Sequence, residues 1–96
     1  MTTDVYRFVF DEDVSLAEAE QTLLLAGFAA EGLLGQASVR LGFGYFVDEP
    51  RRTIIVDGTT DVGDVIVRAF TGLVLREFGE TSFKVRRVNA CPAAET

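Results

Sequence analysis

The sequence predicts a single α+β domain with the element order β-α-β-β-α-β, and three observations carry that expectation. Segments rich in β-branched and aromatic residues alternate their apolar positions at Val5–Phe10, Ser38–Asp48, Thr53–Asp57 and Phe83–Val88. Two longer stretches instead repeat their apolar residues every three to four positions, the spacing of one helix face. Turn and cap residues separate the segments at the places such an order requires.

In Val5–Phe10, Tyr6, Phe8 and Phe10 share one side and Val5, Arg7 and Val9 the other. The acidic turn Asp11-Glu12-Asp13 leads into Ser15-Leu16-Ala17-Glu18, in which the Ser hydroxyl and the Glu carboxylate can each satisfy a free backbone N–H at a helix start. Apolar residues from Leu16 to Leu34 continue that helix for about 20 residues, the length their 3.6-residue period covers, and Gly35 is placed to end it.

The segment Ser38–Asp48 reads as the second strand, with Val39, Leu41, Phe43, Tyr45 and Val47 opposed to Arg40, Gly42, Gly44 and Phe46. A turn around Pro50 joins it to Thr53–Asp57, where Ile54 and Val56 face one side and Ile55 the other. Asp57-Gly58-Thr59-Thr60-Asp61 is turn chemistry, and Asp61 is placed to cap a second helix that Gly79 ends. Phe83–Val88 closes the order, with Phe83 and Val85 inward and Lys84 and Arg86 outward.

Two interleaved β-α-β halves give a ferredoxin-like domain: a four-stranded antiparallel sheet in the order 4-1-3-2, with two helices on one face. The domain is expected over residues 1–88, with a flexible tail over 89–96 that contains the one cysteine, Cys91. No basic segment followed by an apolar run opens the chain, and no membrane-length apolar stretch occurs, so the expected location is cytoplasmic.

Composition narrows the function classes. The 96 residues hold 15 carboxylates against 9 basic residues, a formal charge of -6, which argues against a surface built as a whole to hold phosphate backbones. Histidine is absent, which removes the commonest general base and the commonest neutral metal ligand. Apolar residues make up 48% of the chain, high for a small domain wetted on all sides, and this points to self-association. A non-enzymatic chain with no cofactor and no metal is the expectation.

The sheet face left open by the helices is the candidate site. On the predicted strands it carries Arg7, Val9, Arg40, Gly42, Gly44, Phe46, Ile55, Lys84 and Arg86, an apolar centre with a basic margin. The expected partner is a second copy or another protein, bound through this face or an edge strand. A small-molecule-binding regulatory domain is the alternative. Nucleic acid ranks lower, because base stacking on such a sheet needs aromatics on the two central strands, and here Val5, Arg7, Val9, Thr53, Ile55 and Asp57 stand there.

Two segments resemble enzyme motifs. Asp11-Glu12-Asp13 after the first strand, with Gln36-Ala37-Ser38-Val39, resembles the small CRISPR-associated ferredoxin-like nucleases; the resemblance implies Asp11 and Asp13 as metal-binding carboxylates. The basic first helix of those proteins is missing here. Ile55-Val56-Asp57-Gly58-Thr59 is similar to the phosphotransferase loop of haloacid dehalogenase-like enzymes, but their nucleophilic Asp stands two residues before the Asp-Gly-Thr, where this chain has Ile55.

Overall fold

The computed structural model describes residues 4–89, which form seven elements. They are β1 (Asp4–Phe10), α1 (Leu16–Leu34), α2 (Gln36–Gly42), β2 (Tyr45–Asp48), β3 (Thr53–Asp57), α3 (Asp61–Phe78) and β4 (Phe83–Asn89). The four strands make one antiparallel sheet in the order β2-β3-β1-β4, which is the expected order read from the opposite edge. The expected tail from residue 90 onward, with Cys91, lies outside the described residues.

Both long helices begin and end on local chemistry. The Ser15 hydroxyl accepts from the Glu18 N–H at 3.3 Å, and Gly35 closes α1 with a φ of 91°. In α3 the cap is Thr60, one residue before the expected Asp61; its hydroxyl accepts from the Gly63 N–H at 2.8 Å, and Asp61 becomes the first helical residue, where its charge suits the helix dipole. Gly79, at a φ of 86°, ends α3.

The second strand differs from expectation. Residues 36–42 form the two-turn helix α2, and β2 is confined to Tyr45–Asp48, so the described residues form three helices rather than two. The physical reason is that Val39 and Phe43, four residues apart, meet the same helical neighbours: Val39 is buried in the core and Phe43 lies against it. Leu41, expected to face inward, is 90% exposed.

The core lies between the sheet and the helices. Phe8, Ile54, Val56, Ile66, Phe70, Val74 and Leu23 are fully buried there. Phe8 meets Phe70 of α3 edge-on with ring centroids 4.7 Å apart, and Phe10 and Phe83 complete an aromatic cluster at one end of the β1–β4 pair. Val85, expected inward, is 39% exposed on the edge strand.

The turn between β1 and α1 is pinned from the β2–β3 hairpin. The Arg52 guanidinium donates to the carbonyls of Phe10, Asp11 and Val14, at 2.8 Å to Asp11. Arg52 holds a φ of 51°, so its backbone takes a left-handed turn that aims the side chain across the hairpin.

Candidate functional site

Strand register fixes what the helix-free face presents. Phe46 lies opposite Ile55, Ile55 opposite Arg7, and Arg7 opposite Arg86, so these four side chains form one row across the sheet. The next row is Asp48, Thr53, Val9 and Lys84. On the other side of the first row stand Asp57, Val5 and Val88, with Gly44 beside Asp57 through the Asp57 N–H to Gly44 carbonyl bond of 2.9 Å.

Alternation explains the placement. Ile54 and Val56 are fully buried toward the helices, so Thr53, Ile55 and Asp57 turn to the open side, where Thr53 is nonetheless buried by its neighbours and Ile55 and Asp57 are half-buried. The same parity puts Phe8 and Phe10 in the core and Arg7 and Val9 outside. Phe46 is 62% exposed there, although its strand neighbour Val47 lies against the core.

Of the nine residues expected on this face, Arg7, Val9, Phe46, Ile55, Lys84 and Arg86 share it. Gly44 borders it, beside a shallow apolar depression lined by Val5, Phe46, Ile55 and Asp57. Arg40 and Gly42 do not belong to it, because both lie in α2. A Cβ on Gly42 would stand 2.8 Å from the Val62 Cβ, and the Gly42 carbonyl accepts from the Thr60 hydroxyl, so this glycine serves the close approach of α2 to α3.

Charge is divided across the face. Arg7, Arg86 and Lys84 occupy the β1–β4 half, and Asp48 and Asp57 the β2–β3 half. Asp48 pairs with Arg51 at 3.4 Å, an exposed contact in the hairpin turn, and one Asp57 carboxylate oxygen is engaged by the Thr59 N–H and hydroxyl. A second depression, of about 330 Å³, opens between Arg7, Val9, Asp48, Arg51, Thr53 and Ile55.

The structure also exposes an apolar surface that the strand pattern concealed. On the outer side of α1, Leu24, Leu25 and Phe28 are exposed, and a cleft of about 220 Å³ separates α1 from α2 between Leu24, Gly27, Phe28, Val39 and Phe43, with Glu31 and Arg40 at its margin. Its sequence signal is Leu23-Leu24-Leu25: three consecutive residues sweep about 200° of a helix, so they cannot all face one core.

The carboxylates named by the nuclease resemblance, Asp11 and Asp13, are exposed in the β1–α1 turn, whose carbonyls face Arg52. Among the described residues, no group of three or more Cys, Asp or Glu side chains is arranged to hold a metal ion. Among the same residues, no helix is long and apolar enough to cross a membrane. No protein-family model matches the chain, and no curated protein and no solved structure matches it.

Proposed function

We propose that this chain is a ferredoxin-like protein-association domain that works through the open face of its sheet. The observation that carries the reading is the row Phe46–Ile55–Arg7–Arg86, an apolar end joined to a cationic one on the side without helices. Exposed aromatic and aliphatic side chains next to arginines are the composition of protein interfaces. The aromatic Phe46 stands on edge strand β2, while the central strands offer no ring on the open face for base stacking, their Tyr6, Phe8 and Phe10 facing the core. The edge strand β4 is the poorer docking element, because Lys84, Arg86 and Arg87 discourage strand addition.

The test is Phe46→Glu. Phe46 is mostly exposed, so the substitution leaves the monomer fold intact by circular dichroism while a charge enters the apolar end of the row. Loss of association with retained fold supports the reading, and unchanged association contradicts it. One observation favours a second reading, a domain that binds a small apolar molecule: the cleft between α1 and α2. Phe28→Ala, which opens that cleft, separates the two by leaving association through the sheet intact.

A further inference from the structure

The division of charge across the open face identifies its occupant. We infer that the face binds a second copy of this chain, related by a two-fold axis that runs parallel to the strands over the seam between β1 and β3. This inference rests on the association reading and specifies its partner.

Two sheets packed face to face stand about 10 Å apart with their strands nearly aligned. A two-fold axis between them has two simple orientations. An axis perpendicular to the strands lays β4 over the partner's β4 and brings like charges together, Arg86 over Arg86. An axis parallel to the strands lays β4 over β2 and β1 over β3, without shifting the rows along the strand direction. Register then determines every facing pair.

In that arrangement the row Phe46–Ile55–Arg7–Arg86 meets itself reversed, so Arg86 covers the Phe46 ring of the other copy and the Arg7 stem covers its Ile55. In the next row Lys84 meets Asp48, which Arg51 of its own chain also pairs, and Val9 lies over the already covered Thr53. Asp57, one carboxylate oxygen of which is held by Thr59, stands within diagonal reach of Arg7. The half-exposed Val88 faces the depression beside Gly44. Lys84 thus has a carboxylate in front of it, Arg86 a ring and Arg7 the Ile55 side chain with Asp57 on the diagonal, while Val5 faces Asp57. The cross-strand pair of Arg7 and Arg86, unfavourable in the isolated sheet, is relieved by these contacts.

The decisive experiment mixes two variants. Asp48→Lys makes every facing pair of this kind Lys against Lys, and Lys84→Asp makes it Asp against Asp. Each variant alone is expected to dissociate about tenfold or more readily than the parent chain. Mixed in equal amounts, they restore two attractive pairs and therefore the dimer, read as mass by sedimentation. A cysteine version fixes the axis in the Cys91→Ala chain: Asp48→Cys with Lys84→Cys is joined chain to chain by a short thiol-to-thiol cross-linker, which spans the gap of about 10 Å between facing backbones that a direct disulfide cannot. Within one chain these positions lie on opposite edge strands, roughly three strand spacings apart, beyond the reach of so short a linker.

A parent dimer that fails to re-form on mixing, or that is linked instead by Arg86→Cys alone, overturns the axis and leaves the association reading standing. A monomer that binds a different protein, or RNA, in a Phe46-dependent way overturns the second copy as occupant; protein binding leaves the association reading standing, and RNA binding ends it. A monomer with no Phe46-dependent binding of any kind ends both.

Discussion

Arg7 lies directly opposite Arg86 across the β1–β4 ladder, on the face that carries no helix. Directly opposed residues bring their Cβ atoms to about 4.5–5.5 Å, so two guanidinium groups share one patch of surface. Like charges directly opposite cost stability in the free monomer, and the association proposed above would offset that cost. Arg86→Glu is expected to raise monomer stability by about 0.5 kcal/mol while weakening association. Denaturant unfolding at low protein concentration, paired with sedimentation at high concentration, checks both signs, because dimer formation itself adds apparent stability.

Two glycines of α3 should respond in opposite directions to the same substitution. A Cβ on Gly63 would stand 2.0 Å from the Asp57 carbonyl oxygen, a backbone atom that cannot move aside without shifting the end of β3. Gly72 is exposed and has nothing within 4 Å of such a Cβ. Gly63→Ala should therefore destabilise by about 1–3 kcal/mol, and Gly72→Ala should stabilise by about 0.5–1 kcal/mol. Thermal unfolding of the two variants side by side measures the contrast.

Arg52 ties the hairpin to the start of α1 through three carbonyl groups. Its forked, charged donor set has no equivalent in lysine. Arg52→Ala is expected to cost about 1–3 kcal/mol, and Arg52→Lys should recover only part of that. Hydrogen exchange should localise the loss to the first turn of α1 and the β2–β3 turn.

Tyr45 joins β2 to α1 by donating its hydroxyl to the Glu20 carboxylate at 2.8 Å. That hydrogen bond is the main cause that raises the Tyr45 pKa above its ordinary value near 10, followed by burial and by the Glu20 charge. Because the folded value lies above the unfolded one, the contact supports the fold fully below the unfolded value and its contribution disappears as pH rises through the folded one. In a Tyr6→Phe chain, the alkaline absorbance titration should place Tyr45 above 10, and Glu20→Gln should lower it toward 10.

Much of this geometry was legible in the residues. Ser15 and Gly35 marked the ends of α1, and the alternation of Phe8 with Val9 and of Ile54 with Ile55 named the buried and open sides of the central strands. The sheet order followed from the element order. Residues 38–44 were not legible, because Val39, Leu41 and Phe43 satisfy a two-residue repeat while Val39 and Phe43 equally satisfy one turn of helix; only contact with α1 and α3 decides between them. The Arg52 clamp depends on a backbone angle that no local pattern announces. The division of charge on the open face needed the register, since Asp48 and Asp57 become its acidic half only once β2 and β3 are aligned.

The absolute mass of the purified chain in solution, by light scattering on a sizing column at low and high salt, tests the central claim most directly. Twice the 10.5 kDa chain mass is expected under both conditions, because the apolar Phe46, Ile55 and Val9 contribute alongside the charge pairs, and Phe46→Glu should return the mass to that of one chain. A single-chain mass at the highest attainable concentration, unchanged by Phe46→Glu and with no protein captured through that residue, would contradict it.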